Sequence, residues 1–442
     1  MTQLRWAAGL ILLASAHGAI AQLTLHQAEA EAFEHNPQIR MANARTREAS
    51  AAQSETRAMW LPHVDVSESV ISSNNPVFVF GSLLEQGRFA AANFDPHFLN
   101  SPSVLHNYRF GLNARYTIFD QFRRLESTRQ AANGVAQSDA ASDEARQAVR
   151  LDVMSKFYGV LLAQARHDVA VDAVRTAESD ASAMREKFNQ GLLVESDALA
   201  AEVQVASFQQ QEIEAAGAVV IARASLNAAI GRDIDSATIV QGGLPASIAT
   251  TRSVSAADAA SRRGEVRAAQ LAKTNANLQL QIARGSMLPR VDTFATWGAS
   301  GPTFGNRNGD RTIGAVVSFD LFDGGKFSRV SEAAANVEQA RAAEDAARSK
   351  VEIEIVAASE HVRSAAQRIV VAEAAVKQAT AAARIVRDRY EQGLTTITEH
   401  LHAQTALVSA KLNLLSARYD YVIGSADLAR ATGDLNDVAP FE

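Results

Sequence analysis

Twice in this chain a short strand with two different faces runs straight into a helix too long for a compact domain. In RFGLNARYTIFDQFRRLESTRQ, Arg109 to Gln130, the apolar or aromatic residues Phe110, Leu112, Ala114, Tyr116 and Ile118 alternate with Arg109, Gly111, Asn113, Arg115 and Thr117. A period of two marks a strand whose sides meet different surroundings. After Phe119-Asp120 the alternation stops, and an Ala-, Gln-, Arg- and Glu-rich run of helical character continues without proline for about seventy residues. TIGAVVSFDLFDGGKFSRVSEA, Thr312 to Ala333, makes the same transition.

The repetition extends along the chain. LPHVD (Leu61–Asp65) matches LPRVD (Leu288–Asp292), IFDQF (Ile118–Phe122) matches LFDGG (Leu321–Gly325), KFNQGL (Lys187–Leu192) matches RYEQGL (Arg389–Leu394), and AIGRD (Ala229–Asp233) matches ATGDL (Ala431–Leu435). The order is the same in both copies. The last three pairs are offset by 202 or 203 positions and the first by 227, so the copies differ mainly between their LP and FD motifs. Self-similarity of this kind means one structural plan used twice. It divides the chain into a signal peptide (1–21), first-repeat N-terminal helices (22–60), a first β-hairpin (61–119), a first long helix pair (120–232), a linker with second-repeat helices (233–286), a second β-hairpin (287–322), a second long helix pair (323–433) and a C-terminal tail (434–442).

Each hairpin is expected to have strands of eight to ten residues, the length that crosses a bilayer when tilted. The first pairs Val64–Val70 with Phe110–Ile118 across a long loop containing NNP, EQG, FDP and NSP; the second pairs Val291–Trp297 with Ile313–Phe319 across SGPTFGNRNGD, a cluster that disfavours both helix and strand. The edge of a soluble sandwich would explain either hairpin alone. The helices argue otherwise. After Gly191, apolar or small residues fall at Ala201, Val205, Phe208, Ala215, Val219, Ala222, Leu226 and Ala229; after Gly393 they fall at Ala403, Leu407, Ala410, Leu414, Ala417, Tyr421, Gly424, Leu428 and Ala431. That is a coiled-coil seam in 3-4 steps. Val376, Ala379, Ala383, Val386 and Tyr390 carry the same steps into the turn at Gly393, so each copy holds an antiparallel pair reversed at Gly191 or Gly393. The incoming helix, from about Ser127 to Gln190, would be about 95 Å long. Its partner seams are rich in alanine, which buries little area, so the pairs need neighbours on both flanks.

The setting follows from the N-terminus and from what is missing. Arg5, the apolar stretch Trp6–Ala16 and Ala19-Ile20-Ala21 read as a signal peptide cut after Ala21, since the apolar run is shorter than a membrane span. There is no cysteine, hence no disulfide and no lipid-bearing residue at the cut. No other window reads as a transmembrane helix, so insertion in a membrane would have to be by β-strands. A net charge of −6 speaks against a nucleic-acid partner. No catalytic or phosphate-binding motif is present, no cofactor is implied, and the two histidines of EHLH, His400 and His402, are two apart on a probable helix and so diverge rather than share a metal.

Four bilayer-length strands cannot close a barrel, because single-chain barrels start at eight and an open edge in lipid leaves backbone groups unpaired. The strands must be pooled between chains. Two chains make eight strands and a filled interior; three make twelve and room for a lumen. The expected fold is thus an α+β membrane protein with four transmembrane strands per chain and long antiparallel helices in two tandem repeats, the strand entering the outer membrane and the helix continuing the same wall into the periplasm.

Residues Leu23–Arg40 (LTLHQAEAEAFEHNPQIR), the two junctions ending FD, the tips KFNQGLLVESDAL and RYEQGLTTITEHL, and the glycines of AIG and ATG resemble the TolC-like outer-membrane efflux proteins. The resemblance covers nearly all of the mature chain with the motifs in order. It implies a homotrimer with a twelve-stranded barrel in outer-membrane lipid, a twelve-helix periplasmic tunnel, a periplasmic adaptor (membrane fusion) protein and an inner-membrane transporter of RND type. It also implies a pore constriction, which alignment on Gly393 places at Glu399 and His402. The family usually carries carboxylates at both positions, and His402 departs from that, giving a ring whose charge responds to pH because histidine titrates near neutrality. A latch is implied between Tyr390 and Asp197, with Thr395 standing where the family often has an assisting arginine. The function so implied is the passive exit duct of a tripartite efflux pump with a gated periplasmic entrance. The duct of a type I protein secretion system is the alternative, and a periplasmic coiled-coil scaffold without a channel is the reading from another class. Drugs, metal ions and small organic molecules are all allowed as cargo.

Overall fold

The computed structural model describes residues 22–245, 256–433 and Leu435. The expected signal peptide, and all of the C-terminal tail but Leu435, lie outside them. The elements are α1 (Leu25–His35), α2 (Pro37–Ala58), β1 (His63–Ser73), α3 (Pro76–Glu85), a 3-10 turn (Ala91–Phe94), α4 (Pro96–Asn100), β2 (Leu105–Phe119), α5 (Arg123–Asn189), α6 (Glu195–Ile230), α7 (Ala256–Arg262), α8 (Gly264–Gly285), β3 (Arg290–Thr303), β4 (Asn306–Ser318), α9 (Gly325–Glu391) and α10 (Ile397–Thr432). The described residues form two compact units, one from those within 22–43, 142–263 and 348–435, the other from 44–141 and 264–347.

The second of these holds one antiparallel sheet in the order β1-β2-β3-β4. Its strands are 11, 15, 14 and 13 residues long, longer than the eight to ten expected. The SGPTFGNRNGD segment is therefore not a broad loop. Ser300 pairs with Asn308 and Thr303 with Asn306, with one irregularity between, leaving Phe304-Gly305 as the turn. Local preference for breaking yields here because β3 is held on its other side by β2, from Tyr108–Gly301 to Phe119–Val291. The NNP and FDP motifs of the first loop also prove to be something else. Asn75 and Asp95 cap α3 and α4, each followed by proline in the first turn, so the same residues that read as loop start helices.

In their long helices the two copies return the same dimensions: α5 and α9 have 67 residues, α6 and α10 have 36. α5 begins at Arg123, earlier than expected, because Asp120 Oδ2 accepts from Arg124 N at 2.8 Å and starts the helix itself. The expected seam is the protected face. In α6 Ala201, Phe208, Leu226 and Ala229 are buried and Val205, Ala215, Val219 and Ala222 half-buried; in α10 no residue of the expected seam is exposed. α6 and α10 end on left-handed Gly231 (φ 81°) and Gly433 (φ 79°), and a side chain at Gly231 would meet His35 Cβ at 2.7 Å. The main core gathers Ala28, Ala32, Val153, Phe157, Leu226, Ile230 and Val422 from α1, α5, α6 and α10.

One helix corrects the expectation about transmembrane windows. By length and composition alone, α6 is long and apolar enough to cross a membrane. Its surplus of apolar residues comes from a second stripe on the side opposite the seam, Leu199, Val203, Ile213 and Val220, which is exposed in the single chain. A helix with neighbours on two flanks needs two such stripes.

Candidate functional site: the helix tips and the two-faced sheet

At the tips both reversals use glycine in the left-handed region, Gly191 at φ 75° and Gly393 at φ 73°. The turns match bond for bond: Gly191 N donates to Phe188 O (2.8 Å) and Leu192 N to Lys187 O (2.9 Å), as Gly393 N does to Tyr390 O (3.0 Å) and Leu394 N to Arg389 O (2.9 Å). Thr396 then caps α10 by accepting from Glu399 N at 3.3 Å.

Glu399 and His402 sit one turn apart in α10, and both are exposed. Glu399 accepts from Thr395 Oγ1, so the residue found where an arginine was expected contacts the expected constriction residue. Tyr390 packs on the apolar cluster of Ala181, Met184, Ala201 and Ile397, and its hydroxyl has no hydrogen-bond partner. Burial, then the negative charges of Asp197 and Asp180, raise its pKa. No hydrogen bond joins Tyr390 to Asp197, the expected latch pair.

Beside it lies a cluster that the sequence reading passed over. His400 is 2% exposed, whereas His402 is exposed, so the two histidines do diverge. His400 Nε2 lies 2.9 Å from Asp180 Oδ2 of α5, and Gln404 Nε2 donates to the same oxygen. The His400 ring stacks on Tyr390 with centroids 5.4 Å apart and 7° between planes, and Lys187 Nζ stands 5.8 Å from the tyrosine ring on the way out. One half-buried carboxylate of α5 thereby holds α10, and through the stacked rings α9. The signal for it was present: stepping the α10 seam back from Ala403 lands on His400. A polar residue there was read for metal chemistry instead of for packing.

The sheet has two chemically different faces. On one, Val64, Val66 and Val70 line up with Tyr108, Phe110, Leu112 and Ala114, then with Ala295, Trp297 and Ala299, then with Ile313 and Val317. Most of these are exposed, Ile313 by 83%. Towards the hairpin ends that face carries Glu68 paired with Arg307 at 2.8 Å. The other face is polar and cross-linked: Asn113 donates to Asp65 (2.8 Å), Thr117 to Asp292 (2.7 Å) and Arg109 to Ser300 (2.9 Å). An exposed apolar face opposite a hydrogen-bonded polar one is the pattern of a barrel wall between lipid and a wet lumen. A coiled-coil scaffold that never enters a membrane has no use for such a face.

Strands of this kind carried on long paired helices define a channel protein of the outer membrane. The chain matches the profile of the outer membrane efflux protein family over residues 28–232 and 256–434, and it belongs to that family. Alkaline protease secretion protein AprF of Pseudomonas aeruginosa is 24% identical over 338 residues, 73% of this chain and 68% of AprF. Outer membrane protein TolC of Escherichia coli is 26% identical over 184 residues, 38% of this chain and 37% of TolC, so that match spans little more than a third of its length. The crystal structure of CusC, studied for its transmembrane channel formation, superposes with a TM-score of 0.82 at 16% identity over 93% of this chain and 92% of CusC, a likeness of fold. The protein is a channel of the bacterial outer membrane and a transport protein, not an enzyme, and membership implies a trimer working in a tripartite system.

Proposed function

We propose that the protein is the passive exit duct of a tripartite efflux pump, receiving cargo from an inner-membrane transporter of RND type through a periplasmic adaptor. The observation that carries this is the open sheet, apolar on one face and polar on the other, joined in each repeat to a helix pair of the same length. The periplasmic entrance is gated at the tips. Glu399 and His402, exposed on α10, line the constriction, and Tyr390 latches to Asp197 when its unpartnered hydroxyl turns onto that carboxylate. The adaptor and transporter open the gate by binding the open tips more tightly, since a ligand shifts a two-state element only by its preference for one state.

Planar-bilayer recording of the purified channel tests the gate. Tyr390→Phe combined with Asp197→Ala raises conductance, and unchanged conductance removes the latch. Glu399→Ala weakens block by multivalent cations, and block of the unaltered channel that stays constant between about pH 5 and pH 8 removes the role of His402.

The likeness to AprF supports a second reading, the duct of a type I protein secretion system. Deleting the gene in its host separates the two. A pump duct costs the cell tolerance to small toxic compounds and leaves secreted proteins unchanged, whereas a secretion duct costs it one exported protein.

A further inference from the structure

The loop of the first hairpin, residues 74–104, is built into the sheet in a way that the two-residue turn of the second hairpin is not. Its helix α3 lies on the polar face. Glu85, at the end of α3, sits 3.1 Å from Arg109 Nη1, which also contacts Asp310 at 3.1 Å, and Ser300 Oγ donates to the same Glu85 carboxylate at 3.2 Å. Asn308 Nδ2 donates to the Glu85 carbonyl at 3.0 Å, and Gln86 Nε2 reaches His106 O and Asn107 Oδ1, both at 3.0 Å. Ser300, Asn107 and Gln86 are buried under the helix, together with Val79 and Leu83. Gly298 makes room for the clamp, since a Cβ there would stand 2.7 Å from Arg109 Nη2 and 2.8 Å from Asp310 Oδ2. The side of α3 turned away from the sheet is apolar, with Val77 82% exposed and Leu84 50% exposed either side of Gly81.

We propose that α3 is an inward-folded stricture at the outer mouth of the channel and sets the girth of what leaves. The inference rests on the channel reading above. If the polar face lines the lumen, a helix clamped to that face stands in the lumen. Twelve strands about 4.8 Å apart and tilted about 40° close a tube about 24 Å across. Helices with side chains are about 10 Å thick, so a helix laid on the inner face of a tube of that width brings its exposed side to the axis. The occupant of each exposed face of α3 is therefore the same face of the two other copies. Val77 and Leu84 from three chains make an uncharged, apolar ring, a constriction of the kind that passes slender or apolar solutes and resists wide hydrated ones.

The absence of cysteine makes the test clean. Thr312 is exposed on the polar face, on the helix side of the clamp at Asp310. A single Thr312→Cys reports what reaches that depth in intact cells from outside. A small charged methanethiosulfonate and a polymer-linked maleimide are compared in three backgrounds: the loop intact, residues 76–100 replaced by a short Gly-Ser turn, and Val77→Asp with Leu84→Asp, two exposed positions whose substitution leaves the clamp alone. The small reagent labels in all three. The polymer reagent labels about tenfold more slowly with the loop intact than without it, and the aspartate pair speeds it by setting like charges against one another at the axis. Equal rates of polymer labelling across the backgrounds overturn the stricture and leave the channel standing. No labelling by the small reagent even without the loop means that the polar face is not a lumen, and both readings fall.

Discussion

At the scale of single residues the tips depend on one half-buried carboxylate. Asp180 accepts from Gln404 and faces the buried His400, so Asp180→Ala leaves both side chains without that partner. The expected loss is about 2 kcal/mol, read as an earlier thermal transition in detergent. Replacing Asp180, His400 and Gln404 together by apolar residues restores most of it, because the penalty belongs to the orphaned groups and not to the lost pair. Tyr390 gives a pH dependence. Its folded pKa lies above the ordinary phenol value, so the folded tip keeps the proton after the unfolded chain has released it. Stability is unaffected below about pH 10 and falls as pH rises beyond it. Tyr390→Phe abolishes that alkaline loss and leaves neutral-pH stability nearly unchanged, since the hydroxyl it deletes has no partner. A pH titration of the melting temperature checks both halves. The proposed latch came to the sequence reading only through the family resemblance, as a pairing of positions. Whether a bond joins Tyr390 to Asp197 turns on side-chain packing that spacing does not encode.

At the scale of elements, the junctions between strand and helix decide whether a wall can run from one into the other. The first junction turns through Gln121 and Phe122, both in the left-handed region at φ 64° and 66° without being glycine. Arg124 holds it: 5% exposed, it pairs with Asp120 at 3.1 Å, donates to Thr117 O at 2.6 Å and lies 4.7 Å over the Trp60 ring. Arg124→Ala strands Asp120 and the strand carbonyl together and should cost about 3 kcal/mol. The loss would appear as faster amide exchange at the start of α5, and exchange unchanged there would show the reversal to be held by something else. The second junction reaches the same end with different residues, Lys326 to Asp320 at 3.2 Å and Arg329 to Asp323, whose pKa that arginine and the Gly325 N–H lower. This shows what the repeat could and could not convey. Periodicity fixed strand faces, seams and helix pairs because burial along a face recurs at the element's own period. It missed α3 and α4 because a helix of one to three turns has too few residues to show a period. Asn-Pro and Asp-Pro serve equally to open a loop or to cap a helix, and the sheet beneath decides which.

At the scale of the whole molecule, the decisive feature is a sheet with two edges, β1 and β4, unpaired among the described residues, in a chain whose place is the outer membrane. Each backbone group left unpaired in lipid costs several kcal/mol, and strands of 11 and 13 residues present many of them, so a lone chain cannot persist there. The exposed valines and Ile313 rule out the opposite escape into water, because they share one largely apolar face. Pairing β4 of one copy with β1 of the next removes both edges. Closure therefore fixes a whole number of chains, and the lumen fixes which. Eight strands fill their own interior and leave no room for α3 on the polar face, whereas twelve leave a lumen that α3 can enter. Protein mass from light scattering, corrected for bound detergent, on the particle extracted from outer membranes should thus correspond to three chains of at most 47.2 kDa each. Two chains would mean a filled barrel from which α3 has been displaced, and the stricture would fail with the tunnel. A single chain recovered without detergent would mean that the apolar face is covered by something other than lipid, and the export duct would fail before any question about its gate arose.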